Sequence, residues 1–277
     1  MLGILLPSIS AFFIEIADSI GKYEVANRRE SIYTMGFLNY LWGTLIFLAV
    51  AVFRGSFIFS IASLPTFGIR LFLEILQTHF GILAVVRAER SSYSLIRTAT
   101  IPLLLLVDIA LGYAIGYAQI AGVIVIFTAL VLIFLNNGIK KEGLGFVLFS
   151  TLNAVLTISL LKYDITYFNS VEAEQAVMHS LLMLYLVIGA YFIAKENPFY
   201  FLKRREFLAQ SFSSGSGSAI NSFAFGFAPA SVVMAFYRTF SVLWSFVFGR
   251  IYFKESQLFK KIMFSILIIV GVFLLAK

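Results

Sequence analysis

Residues 97–117 read RTATIPLLLLVDIALGYAIGY, and residues 238–253 read RTFSVLWSFVFGRIYF. Each stretch opens on an Arg-Thr pair and continues in apolar residues. With what precedes it, each is long enough to cross a bilayer, for which a helix needs about 20 residues. The two arginines stand 141 residues apart, about half of the 277-residue chain. A second pair keeps nearly the same spacing: Lys22-Tyr23-Glu24 and Lys162-Tyr163-Asp164 lie 140 apart. A nearly constant offset points to a duplicated unit. A charged side chain at the centre of a span costs about 2.5–3.5 kcal/mol on insertion scales, so one that persists there is usually retained for work.

Composition sets the class. The chain is 60% hydrophobic and 13% charged, with a mean hydropathy of +0.94. A soluble domain of this size has no means of hiding so much apolar surface, which leaves an integral membrane protein. The longest markedly polar stretch runs only from about Lys195 to Glu206. A folded soluble domain does not fit there, so any activity lies within the bundle. The formal net charge of +7 reads as basic residues flanking spans rather than as nucleic-acid binding. Cysteine is absent, which excludes disulfides, thiolate metal sites and a cysteine nucleophile. The first segment lacks a basic leader and carries Glu15 and Asp18 in its apolar run, so it reads as a first span rather than a signal peptide.

Ten segments have the length and apolarity of crossings: roughly 3–24, 33–53, 66–86, 92–113, 118–135, 143–162, 173–194, 206–227, 231–252 and 258–276. Alternating barrel-type patterning is missing, so the expected fold is an all-α membrane protein. The halves are 1–138 and 139–277, five spans each. After an odd number of crossings the second copy enters from the opposite side, which predicts two inverted-topology five-helix repeats in one membrane domain. That architecture is characteristic of alternating-access transporters, with a site near mid-membrane at the repeat interface. Loops after odd-numbered spans hold fifteen Lys and Arg residues against four on the other side. The positive-inside bias puts the odd loops in the cytoplasm and both termini outside.

The last fifty residues, APASVVMAFYRTFSVLWSFVFGRIYFKESQLFKKIMFSILIIVGVFLLA, resemble the closing unit of the drug/metabolite transporter superfamily, in particular its ten-span EamA-like branch. Ala228-Pro229-Ala230 resembles the family's small-residue turn, Phe253-Lys254-Glu255 its apolar-x-Glu element, and Gly271 its late glycine. AERSSYSLIRTATIPLLLL aligns in pattern in the first half, but Ala114 stands where Glu255 stands in the second copy. The resemblance implies a secondary active transporter in a cell inner membrane. It would be an exporter of amino acids or similar small polar metabolites, with no cofactor and no nucleic-acid partner. The alternative it leaves is a lipid-handling or flippase-like protein of the same fold.

Arg97 and Arg238 are the leading site candidates. One reading makes them a pair of guanidinium groups, one from each repeat, that bind a carboxylate or phosphate in a central cavity. The other makes them partners of internal ion pairs with Glu15, Asp18 or Glu74. Asp18 and Lys22 have the spacing of an interfacial helix pair, while Glu15 lies deeper and is better placed as a cavity carboxylate that, like Glu74, would hold an amine of the substrate or a proton. Arg70 and Glu74 have the same spacing in span three. Glu74 and His79 are candidates for proton coupling, and His179 carries the same ambiguity. Tyr237 and Trp244 flank Arg238 at helical spacing as an aromatic wall. Asn153, Asn221 and the run Ser213-Ser214-Gly215-Ser216-Gly217-Ser218 read either as close helix packing or as a locally unwound span lining a substrate path. Metalloprotease HExxH and Walker A patterns are absent, and so is acidic metal spacing. The expectation is therefore a transporter and not an enzyme.

Overall fold

The computed structural model describes residues 2–110, 112, 116–135, 141–255 and 258–275. Ala114, the repeat boundary at 138/139 and Lys277 lie outside the described residues. Among the described residues the chain is helical and has no strand. The helices are α1 (Leu2–Ala26), α2 (Ile32–Arg54), α3 (Leu64–Arg87), α4 (Arg90–Arg97), α5 (Thr100–Ala110), α6 (Tyr117–Leu135), α7 (Leu144–Tyr167), α8 (Val171–Gly189), α9 (Arg205–Ala224), α10 (Ala230–Phe253) and α11 (Leu258–Leu275).

Local chemistry sets most of the boundaries. Ser31 and Ser170 cap α2 and α8, their side chains accepting from Thr34 N and Ala173 N, where hydroxyl caps satisfy first-turn amides. Gly55 ends α2 at φ 59°, a left-handed conformation glycine adopts freely. The expected span 92–113 is broken into α4 and α5 just after Arg97. Pro102 explains the break: it has no N–H for the carbonyl of Thr98, and its ring crowds that carbonyl. Ile101 N takes the Thr98 carbonyl instead at 3.0 Å, while Thr98 N and Ala99 N reach back only three residues.

Among the described residues, six stretches are long and apolar enough to span a membrane: Ile32–Arg54, Ile61–Arg87, Arg90–Ala110, Leu144–Tyr167, Val171–Ala194 and Ala230–Phe253. The remaining four expected crossings coincide with α1, α6, α9 and α11. The α1 helix carries Glu15, Asp18, Lys22 and Glu24, and α9 is rich in serine and glycine. These two polar helices pack against each other and against α2 and α10. The α6 and α11 helices also pack as a pair, and their described apolar parts are Tyr117–Ala129 and Ser265–Leu274.

The alternative of an unwound eighth segment is corrected by the structure: α9 is uninterrupted from Arg205 to Ala224. Its small residues serve close approach. A Cβ on Gly215 would lie 2.4 Å from Gly43 N on α2, and Ser211 Oγ and Ser214 Oγ donate to the α2 carbonyls of Leu38 and Asn39 at 2.5 and 2.9 Å. On the other side Ser10 Oγ of α1 donates to Gly217 O at 2.7 Å.

The loops sort to two ends. At one end Lys22 Nζ donates to Ala88 O, Glu255 accepts from the start of α4, Glu196 accepts from Ser31 N and Thr34 Oγ1, and Gly143 abuts Arg87 and Ala88. At the other end Lys162 Nζ donates to Phe225 O, Asp108 accepts from Ser231 N, and Ser60 N donates to Asn169 Oδ1. We call the first the basic end.

Candidate functional site

Four arginines are buried in the bundle: Arg70, Arg90, Arg97 and Arg238. They divide into two kinds. Arg90, at the start of α4, holds Glu15 of α1 through Nε and Nη2 at 2.9 and 2.8 Å, and Nη2 also reaches Asp18 at 3.0 Å. Arg70 on α3 holds Glu174 of α8 at 2.5 Å, donates to Gln175 at 2.9 Å, and lies 3.5 Å from Glu74. A two-pronged guanidinium–carboxylate contact is the strongest of these geometries and offsets the desolvation of both partners.

Arg97 and Arg238 are the other kind. Arg97 donates to Tyr93 Oη at 2.9 Å and Ser150 Oγ at 3.2 Å, and its Nε has no partner among the described residues. Arg238 Nε reaches Thr100 Oγ1 at 3.4 Å, and the guanidinium lies 5.0 Å from the Tyr237 ring. Among the described residues neither forms an ion pair. The carboxylates that were candidate partners, Glu15, Asp18 and Glu74, are engaged by Arg90 and Arg70 instead.

Both unpaired guanidiniums line a cavity of about 300 Å³ built from α1, α2, α3, α4, α7, α8, α9 and α10. Its polar lining includes Asp18, Tyr40, Glu74, Gln175, His179, Asn221 and Tyr237. A second hollow of about 210 Å³ shares Asp18, Tyr40, Tyr93, Arg97 and Ser218 with it, and runs along α3 past Gln77, Thr78 and Val85 towards the basic end. Among the described residues, Asn221 Oδ1 and His179 Nδ1 have no hydrogen-bond partner. The His179 ring is held edge-on between Tyr40 and Phe47, at 4.8 and 5.4 Å.

The expected site residues separate accordingly. Arg97, Arg238, Glu74, Asn221 and Tyr237 meet in the cavity. Glu15 stands behind it on Arg90, while Asp18, read from sequence as an interfacial partner of Lys22, lines it. Lys22 turns to the Ala88 carbonyl instead. Asn153 donates to Leu73 O and Gln77 Oε1 at 2.8 and 3.1 Å, bracing α7 on α3. Trp244 packs on Phe12 at 4.7 Å. His79 pairs with Tyr185 Oη at 3.1 Å, away from the lining. Arg90 falls between the expected spans 66–86 and 92–113, where nothing in the sequence distinguishes it from the other loop arginines. Nor does the sequence mark Glu174, whose partner lies 104 residues away.

Arg90, Arg70, Arg97 and Arg238 are matched in number by Glu15, Asp18, Glu74 and Glu174, so the cavity and its supports are balanced overall. Locally they are not. Asp18 and Glu74 are each a second carboxylate on an arginine that already has one, while two guanidiniums have none. Such a cavity offers separate places for an anionic and a cationic group. Comparison with protein-family models and with curated proteins finds no match to this chain.

Proposed function

We propose that the chain is a secondary transporter of small zwitterionic metabolites of the amino-acid class, working by alternating access as a member of the EamA-like branch of the drug/metabolite transporters. The observation that carries this reading is the pair of buried, unpaired guanidiniums on one polar cavity. A carboxylate supplied by the substrate would relieve both, and Asp18 or Glu74 would take the ammonium. Asn221 and Tyr237 would orient the molecule between them. Glu74, with a charge that Arg70 shares with Glu174, is the group best situated for proton coupling. The polar lining supports a soluble solute over a lipid.

Hydrogen bonds related by the sequence repeat support an inverted two-fold architecture of ten crossings. Lys22 donates to Ala88 O, and Lys162 donates to Ala228 O at 3.3 Å; donors and acceptors are each 140 residues apart. Glu255, after α10, accepts from Arg90 N at 2.5 Å and Ser91 N at 3.2 Å, capping α4. Asp108, at the end of α5, accepts from Ser231 N at 2.9 Å, capping α10. The acidic element missing at position 114 thus has a counterpart six residues earlier in the sequence. Helix pairing follows the same relation: α1 packs on α9 as α7 packs on α3, and α1 on α10 as α7 on α4 and α5. In this reading the two ends carry equivalent closures, and each opening releases one set.

The test is binding of an amino-acid panel to the purified protein, followed by flux in proteoliposomes with and without a proton gradient. Arg97→Ala and Arg238→Ala are each expected to weaken binding about tenfold or more, the loss of a charge-assisted hydrogen bond. Normal binding of every ligand by both variants would remove the assigned role.

A further inference from the structure

A groove between α3 and α7 at the basic end is not explained by transport. It has a volume of about 320 Å³ and is lined by Phe80, Lys141, Gly145, Phe146 and Phe149, with Gly143 and Leu144. Phe80 stacks on Phe146 at 6.1 Å and an interplanar angle of 22°, and meets Phe149 at 4.6 Å. Arg87, the last residue of α3, is exposed and lays its guanidinium 4.9 Å from the Phe146 ring centre. Lys141, just before α7, is also exposed.

The backbone holds these groups together. Gly143 has φ +71°, and a Cβ there would lie 2.8 Å from Ala88 N. A side chain at this position would clash with the end of α3, so glycine lets the chain turn tightly there; Lys141 lines the groove, and Arg87 borders it through its contact with Phe146. Two residues on, Gly145 faces open space: a Cβ there would meet nothing within 4 Å. The groove is thus apolar along its length, floored by a missing side chain, and cationic at its mouth. Glu142, next to Lys141, is exposed and, like Arg87, borders the groove without being part of its lining.

We propose that this groove binds one anionic phospholipid, with its phosphate between Arg87 and Lys141 and an acyl chain laid along Phe80, Phe146 and Phe149 over Gly145. A soluble anion would gain from the two cations but nothing from three aromatic rings. A zwitterionic lipid would carry its own cation beside the phosphate. Basic groups at a membrane surface favour anionic headgroups, and aromatic rings favour the interfacial level. The proposal does not rest on the transport reading.

The test is native mass spectrometry of the full chain, released from detergent after titration with phosphatidylglycerol or phosphatidylcholine. The wild-type protein is expected to retain one phosphatidylglycerol, and Arg87→Gln/Lys141→Gln to bind it about thirtyfold more weakly, the combined effect of two surface cations. Gly145→Phe fills the groove, leaves both cations in place, and is expected to lose the lipid as well. Arg204→Gln/Arg205→Gln removes equal charge elsewhere and is expected to retain it. The proposal is overturned if Gly145→Phe binds phosphatidylglycerol like the wild type, or if phosphatidylcholine or free glycerol phosphate binds as well. Equal weakening by the Arg204/Arg205 variant would also overturn it. Gly145→Phe decides the matter should the double variant fail to fold.

Discussion

Arg90 and Arg238 are both almost completely buried, 0% and 4% exposed, yet they oppose one another energetically. Arg90 compensates two carboxylates, Glu15 and Asp18. Arg90→Ala would strand both, and breaking a buried pair by removing one partner costs about 3–5 kcal/mol. Among the described residues Arg238 has no counter-ion, so Arg238→Met replaces an uncompensated charge with an apolar side chain of similar length. That variant is expected to unfold at a higher temperature than the wild type while losing ligand binding. Thermal unfolding of both variants in detergent checks this, and a lower midpoint for Arg238→Met would show that its charge is compensated. From sequence, Arg97 and Arg238 stood out because a charge within an apolar run is visible locally. Which arginines are paired was not visible, because the deciding carboxylates come from other helices.

Between elements, α9 makes close backbone contacts at Gly215 and Gly217. The Gly215 and Gly43 backbones are near enough that a Cβ at Gly215 would lie 2.4 Å from Gly43 N and 2.6 Å from Trp42 C. Backbone cannot yield as a side-chain tip can, so Gly215→Ala is expected to destabilise the protein by about 1–3 kcal/mol, the usual cost of overpacking. Gly145→Ala is the contrasting case. It enters open space and gains up to about 1 kcal/mol of helix propensity. Unfolding curves for the two variants should move in opposite directions, and equal shifts would rule out close α2–α9 packing as the role of Gly215. The small-residue run could be read as a packing face from its four-residue spacing. Its partner helices could not, since spacing identifies a face and not what covers it. The break between α4 and α5 had a local signal in Pro102, which the apolar count of the span obscured.

For the molecule as a whole, the loops gather at two ends, and the basic residues are unequally shared between them. The orientation reading therefore makes a direct prediction. The chain has no cysteine, so single replacements report without background. Phe227→Cys, in the α9–α10 connection and 59% exposed in the wild type, is expected to react with a membrane-impermeant maleimide in intact cells. Arg204→Cys, exposed at the start of α9, is expected to react only after permeabilisation. The reverse pattern would invert the orientation, and reaction of both in intact cells would refute the placement of these loops on opposite sides.

Membrane class, helical content and the approximate limits of the apolar stretches follow from the sequence alone. They depend on composition and on periodicity along the chain, which are local quantities. Tertiary structure decided that Glu15 serves Arg90 rather than the cavity, that Asp18 and Glu74 face it, and that Asp108 caps α10 as Glu255 caps α4. Those outcomes depend on which helix faces cross, and hydrogen bonds spanning 72 to 165 residues leave no trace in local spacing. In a low-dielectric interior, a guanidinium becomes a structural tie or an open binding group according to whether the fold delivers a carboxylate to it.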